Sequence, residues 1–397
     1  MENIRNIHHY EEFIKERKTQ NLYRSLQCKH HEPSCYVDFS TNDYLGLSKS
    51  RELLEAAYSH GMNAGVGATG SRILSGNSNL FSELEQQIAK DKKTEAALIM
   101  NSGFQTNMTV LAGLLDKSVL MERPIVFFDR LNHSSLYQAI FLSRAELVRY
   151  RHCDIEHLSH LIKKYAQDKR TKFIVTETLF GMDGDIPDIH GIIKLARQYN
   201  AILYLDEAHA TGVLGNNGYG ISTDFDLSNI THVIMGTFSK AVGVFGSYIA
   251  SSKMIRRYLI NKCTGFIYST TLPPMLLGAI AKSWEKIASM SGARTELMAK
   301  ASRLRMELQK RKYDVGTSAT HIIPLILKEE EKTTELQRIL LGKGFRVSAV
   351  RPPTVPANTS RIRIALCTFH SEEDTSSLVR CMDNKISLGL STLHPRN

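Results

Sequence analysis

The chain has 397 residues, 42% hydrophobic and 23% charged, with 25 Gly and 10 Pro. These values exclude a collagen-like, low-complexity or wholly disordered chain, and the length allows two or three domains around a large core. Lys and Arg total 50 against 40 Asp and Glu, a net charge of +10; such a surplus attracts polyanions, whether nucleic acid, anionic lipid or phosphorylated small molecules.

Residues 1–6 lead into the charged stretch Glu11 to Lys18 with no apolar leader core, and no apolar run approaches the ~20 residues of a membrane-spanning helix. A cytoplasmic protein with no membrane contact is expected. The six cysteines (Cys28, Cys35, Cys153, Cys263, Cys367, Cys381) are scattered and include no C-x-x-C pair. This argues against a zinc ribbon or disulfide framework and fits a reducing compartment; no metal is expected.

Residues 9–24 read as a polar, helix-prone arm, and 51–62 as a helix. Short apolar runs at 96–100, 125–129, 173–177, 202–206, 233–236 and 247–250 read as buried strands, with helix-length segments such as 154–168 and 189–199 between them. Buried strands alternating with helices predict an α/β domain with a mainly parallel sheet. Polar residues just past such strands line the ligand crevice, and here they are Asp129, Glu177, Asp206 and Thr237. From about residue 275 the texture changes to long helices (275–287, 296–312), a strand at 321–327, a helix at 333–341 and strands at 345–349 and 361–366. The expected organisation is an N-terminal arm (1–50), a large domain (51–285) and a smaller α+β C-terminal domain (286–397).

Gly65-Val66-Gly67-Ala68-Thr69-Gly70 matches the dinucleotide fingerprint, but that motif needs a strand before it, and here a helix precedes it. Asp206-Glu207-Ala208-His209 spells the DEAH signature of nucleotide-driven helicases, yet no G-x-x-x-x-G-K-[ST] loop accompanies it. A third reading unites Asp206, His209 and Lys240. Lys240 follows a strand in the turn Gly236-Thr237-Phe238-Ser239-Lys240, and Asp206 ends another strand. In isolation that lysine reads as a solvated charge. At one crevice edge the three suit pyridoxal phosphate, with the lysine forming the Schiff base and the carboxylate pairing with the pyridine nitrogen. Thr237 and the backbone N–H groups after Ser102 suit its phosphate.

From these residues the chain resembles the α-oxoamine synthases, pyridoxal-phosphate enzymes of the aspartate-aminotransferase fold (fold type I). The likeness runs from about Phe39 to Leu366. Its blocks are Phe39 to Leu47, Gly70-Ser71-Arg72 with Ser75-Gly76, Asn132-His133-Ser134-Ser135, Met182-Asp183-Gly184-Asp185, Asp206 to Gly212, Thr237-Phe238-Ser239-Lys240 and Tyr268 to Pro274. Arg351-Pro352-Pro353-Thr354-Val355-Pro356 resembles the form of the biotin-pathway branch, and also reads as a rigid turn.

The resemblance implies roles at matching positions. Lys240 carries the cofactor and moves the α-proton. Asp206 pairs with the pyridine nitrogen, His209 bonds the phenolic oxygen, and His133 stacks on the ring. Gly103, Phe104 and Thr237 hold the phosphate, with Thr270 or Thr271 contributed by the other subunit of a homodimer. Arg363 binds the amino-acid carboxylate as a bidentate fork, with Arg361 as a substitute. Arg24, Asn42 and Thr354 meet the acyl substrate. Glu177 orders His133 or the phosphate loop, or is a structural carboxylate.

Two departures from the family pattern stand out. Gly181 replaces the usual Ser, so water or Thr178 is expected to supply the missing hydroxyl. A longer surface loop is expected around 117–124. The implied activity is a decarboxylative condensation of L-alanine with a pimeloyl thioester, of CoA or of acyl carrier protein. The alternatives are a glycine-using relative acting on acetyl-CoA, a relative that has lost catalysis, and a basic nucleic-acid-binding or NTP-driven protein.

Overall fold

The computed structural model describes residues 7–26 and 36–386. Residues 1–6, where the leader expectation falls, lie outside the described residues, as do Cys28 and Cys35. Cys153, Cys263, Cys367 and Cys381 form no disulfide. The strands are β1 (Val37–Asp38), β2 (Ala96–Met100), β3 (Ile125–Asp129), β4 (Glu146–Tyr150), β5 (Lys172–Glu177), β6 (Ile202–Asp206), β7 (His232–Thr237), β8 (Ser247–Ser251), β9 (Ile322–Lys328), β10 (Phe345–Arg346), β11 (Ser348–Val350) and β12 (Ser360–Ala365). Contacts divide the chain into a large unit, Asn42–Gly181 with Asp185–Glu296, and a small unit, Met1–Thr41, Met182–Gly184 and Leu297–Asn397.

In the large unit, the order β2-β8-β7-β6-β5-β3-β4 makes a sheet in which, among the described strands, only β8 runs against its neighbours. This is the mainly parallel sheet read from the sequence. The chain moves outward from β3 to β4 on one side and from β5 through β6 to β7 on the other. The crevice at such a reversal, outside the carboxyl ends of the strands, is where open α/β sheets bind ligands. β3 and β5 to β7 are continuous apolar runs because both faces are covered. Their side chains Val126, Phe128, Val175, Tyr204 and Met235 pack with Val110, Leu111 and Leu114 of helix Gly103–Leu114 and with Leu136 and Ala139 of helix Ser134–Ser143.

Helix starts follow their caps. Ser102 accepts from Gln105 N–H, Asp154 from His157 N–H and Asp188 from Gly191 N–H. The 117–124 stretch is not purely loop: Asp116 caps a one-turn helix, Lys117–Leu120.

The small unit holds an antiparallel sheet, β11-β12-β9, and a parallel pair, β1-β10. The expected strand at 345–349 is therefore two pieces with different partners. Phe39 N–H donates to Arg346 O, and Ala365 N–H donates to Phe39 O. Phe39 lies 4.3 Å from the His370 ring. No helix among the described residues is long and apolar enough to cross a membrane.

Candidate active site

Asp206 ends β6 and is buried. Its Oδ2 accepts from Asn107 Nδ2 at 2.6 Å, and its Oδ1 accepts from the Ala208 N–H at 2.8 Å. Asn107 lies on helix Gly103–Leu114 and is itself buried. Its amide orientation is fixed, because Oδ1 accepts from Tyr204 OH at 2.9 Å while Nδ2 also donates to Ser135 Oγ at 3.0 Å. Ser135 Oγ lies 2.7 Å from His133 Nδ1. A continuous hydrogen-bonded string thus joins His133 to Asp206.

The His133 backbone N–H donates to Glu177 Oε1 at 2.7 Å. Glu177 ends β5, is buried, and is pushed well above the ordinary carboxylate range by burial and then by the nearby Asp206 charge. The His133 imidazole is lowered by desolvation, against the pull of Asp206 and with a further push from the Lys240 ammonium. The Lys240 charge thus acts on both His133 and Glu177.

His209 is buried three residues past Asp206. Its Nδ1 lies 2.7 Å from Tyr44 OH, which donates to Asn42 Oδ1 at 2.9 Å. A Cβ at Gly181 would lie 2.1 Å from His209 Nε2. The ring of His209 fills the space a side chain at 181 would need, which accounts for the glycine.

Thr237 ends β7. Its Oγ1 donates to Gly246 O at 2.9 Å, and a Cβ at Gly103 would stand 3.6 Å from that hydroxyl. Thr237 therefore meets the first turn of helix Gly103–Leu114, whose amides at 103 and 104 have no intrahelical acceptor. The Phe104 ring stands edge-on to His133 at 6.2 Å. Asn101 Nδ2 donates to Thr270 O at 2.5 Å, and Thr271 N–H donates to Gly70 O at 3.0 Å. Ser269 Oγ accepts from Gln105 Nε2 at 2.6 Å, so Ser269 and Thr270 lie beside the start of the same helix.

The DEAH-like residues part ways. Glu207 is buried in an ion pair with Lys92 and accepts from the Ser222 N–H, away from any nucleotide chemistry. The Gly65–Gly70 loop follows helix Arg51–Ala64, as the sequence indicates.

Arg24, Thr354 and Arg363 belong to the small unit. There Arg24 Nη2 donates to Thr354 Oγ1 at 3.1 Å. Arg361 is taken up by Asp183, while Arg363 is buried on β12.

The donor set fits pyridoxal phosphate. A buried carboxylate suits a protonated ring nitrogen, the lysine suits a carbonyl carbon, and a hydroxyl beside free helix-start amides suits a phosphate. Thr178 Oγ1, one residue past Glu177, is buried with no hydrogen-bond partner among the described residues; the sequence offered water or this hydroxyl in place of the one missing at Gly181. Sequence reasoning had given no role to Asn107, Ser135, Tyr44 or Tyr204.

A mainly parallel sheet with this constellation at its carboxyl edge defines a fold type I pyridoxal-phosphate transferase. Residues 35–380 match the aminotransferase class I and II family. A Gluconacetobacter diazotrophicus protein named 8-amino-7-oxononanoate synthase is 40% identical over 350 residues, covering 88% of this chain and 87% of its own. A Paramagnetospirillum magneticum protein provisionally given the same name is 46% identical over 343 residues, 86% of each chain. Among solved structures, Sphingomonas wittichii serine palmitoyltransferase superposes with a TM-score of 0.87 at 25% identity, over 96% of this chain and 98% of that one. The chain belongs to the class I and II aminotransferase family and, within it, to the α-oxoamine synthases, the pyridoxal-phosphate-dependent acyltransferases.

Proposed function

We propose that this chain condenses L-alanine with a pimeloyl thioester, of CoA or acyl carrier protein, to give 8-amino-7-oxononanoate, CO2 and the free thiol, a step of biotin biosynthesis. The observation that carries this is the 40–46% identity, across most of both chains, to proteins bearing the synthase name. When bound, the cofactor supplies an electron sink for carbanion chemistry at the amino-acid α-carbon.

The residues divide the remaining tasks. The Asp206 carboxylate, fixed by Asn107 and the Ala208 N–H, holds a proton on the ring nitrogen. His209, oriented by Tyr44, bonds the ring oxygen, and His133 packs against the ring face. Desolvation lowers the His133 pKa and so favours the neutral imidazole. Amides 103 and 104 with Thr237 take the phosphate, completed by Thr270 or Thr271 of the partner subunit. Lys240 Nζ anchors the cofactor, then accepts the alanine α-proton and returns it to the product. Arg363 forks onto the alanine carboxylate, and Arg24, Asn42 and Thr354 contact the acyl chain. A bond forms from alanine Cα to the thioester carbonyl carbon, the thiol leaves, and the alanine carboxylate departs as CO2.

Leu54, Tyr58 and Met62 support a homodimer. They are spaced at four on one helix face and are 61%, 68% and 69% exposed. The proposed location is cytoplasmic.

A second reading follows from the serine palmitoyltransferase likeness: a serine-using, long-chain acyl transferase. Mass spectrometry of products separates these readings, with alanine, glycine and serine each offered against pimeloyl, acetyl and palmitoyl thioesters. The synthase reading requires alanine with pimeloyl to dominate. Lys240→Ala should abolish turnover and leave the fold intact; retained turnover would overturn the assignment.

A further inference from the structure

His152 lies just past β4, with its side chain 13% exposed, between two carboxylates that are almost fully buried. Its Nδ1 is 2.9 Å from Asp129 Oδ1, and its Nε2 is 3.0 Å from Asp185 Oδ2. Both ring nitrogens meet acceptors, so the ring is a cation donating on both sides. Burial opposes that charge, but the two carboxylates outweigh it and push the group up to about 12.

The two carboxylates control different loops. Asp129 ends β3 and also accepts from the Leu131 N–H and Cys153 N–H, both at 2.9 Å. Its carbonyl accepts from Asn132 N–H. Asn132 in turn accepts from Glu177 N–H and donates to Val175 O, and the next residue is His133. Asp129 therefore shapes the loop that carries His133. Asp185 closes the other turn: its carbonyl accepts from Phe180 N–H at 3.0 Å, and the Phe180 ring stands perpendicular to the His152 ring at 4.4 Å. The next residue, Gly181, seats His209.

A metal does not suit this cluster. Direct hydrogen bonds occupy both ring nitrogens. The Cys153 sulfur is 3.8 and 3.6 Å from the two of them, which puts it over the ring face rather than along a lone pair.

We propose that His152 is a positioning residue of the cofactor site: held by Asp129 and Asp185, it ties the His133 loop to the Gly181 turn that seats His209. This rests on the pyridoxal-phosphate reading of the site, not on the identity of the substrates. His152→Gln takes away the cation that both buried carboxylates meet, so both loops shift.

The test uses the full-length protein, with two readouts that need no thioester: the pyridoxal-phosphate dissociation constant and the visible circular dichroism of the bound cofactor. His152→Gln should raise the dissociation constant about tenfold or more and weaken the dichroic band. Adding Asp185→Asn removes one of the two carboxylate charges that met His152 and should return both readouts toward wild type. A folded His152→Gln protein with a lower melting temperature, a dissociation constant within about twofold of wild type and an unchanged band would reduce His152 to a structural role. If that variant does not fold, Asp185→Ala alone serves: it removes the acceptor that His152 Nε2 meets and leaves Asp129 in place, and an unchanged dissociation constant there overturns the proposal equally. Products from the wrong amino acid or thioester would sink the substrate assignment and leave both readouts standing.

Discussion

Gly181 and His209 form a complementary pair, a missing side chain and the imidazole that occupies its space. Gly181→Ala adds a methyl group where no void exists, and overpacking of this kind costs about 1–3 kcal/mol. His209 must then turn away from Tyr44. The expected outcome is weaker cofactor binding by about tenfold, checked by titration of the cofactor-free protein, with the protein still folded. The glycine itself was legible as a departure from its family, but its reason was not, because nothing in the chain marks which ring fills the gap. The same holds for Asn107. On the sequence it is one polar residue in a helix, and only its burial between Asp206, Ser135 and Tyr204 gives it a task. The places of Lys240, Asp206 and His209 were legible because each sits at or just past a strand end, where the sheet itself dictates what meets the crevice.

At the scale of elements, the fully covered strands were readable as apolar runs, whereas β4 was not. It is the edge strand Glu146–Tyr150, mostly half-buried and carrying charged Glu146 and Arg149, so it lacks the continuous apolar signal. The one-turn helix Lys117–Leu120 escaped because four residues carry no periodicity. The small unit offers a pH test. His370 accepts from the Cys367 N–H at Nδ1 and donates from Nε2 to Asp38 O, which fixes the neutral tautomer. Burial holds this imidazole down to about 4, from an ordinary 6.5. The unfolded chain takes up the proton first, so this contribution to stability is full above pH 6.5 and is lost as the pH falls toward 4. The loss is at most about 3 kcal/mol. Denaturant melts at pH 7 and pH 4.5 measure it, and the Cys367 amide should lose its hydrogen-exchange protection over the same range.

For the whole molecule, the charge of +10 first admitted nucleic acid, lipid and small phosphorylated anions. The small phosphorylated anions accord with family membership, since the cofactor is a phosphate ester and both proposed thioester carriers are anionic. The exposed stripe Leu54, Tyr58 and Met62 belongs at this scale too. Tyr58→Glu places a charge in the centre of that stripe and should shift the proposed dimer toward monomer in analytical ultracentrifugation; an unchanged dimer mass would locate the subunit contact elsewhere, and a monomeric wild type would overturn the dimer itself. Sequence patterning had pointed to a partner only through the family likeness, because an apolar residue on a helix reads the same whether its own core or a second copy covers it.

The Asn107 amide donates to Asp206 and Ser135 and accepts from Tyr204, and Ser135 passes the string on to His133. An aspartate at 107 would face Asp206 with like charge, and a leucine would strand three polar groups at once. No member of the string can drift without a matching change in another. A substitution at any one of these positions therefore calls for a matching change at another, so the string responds to mutation as one unit.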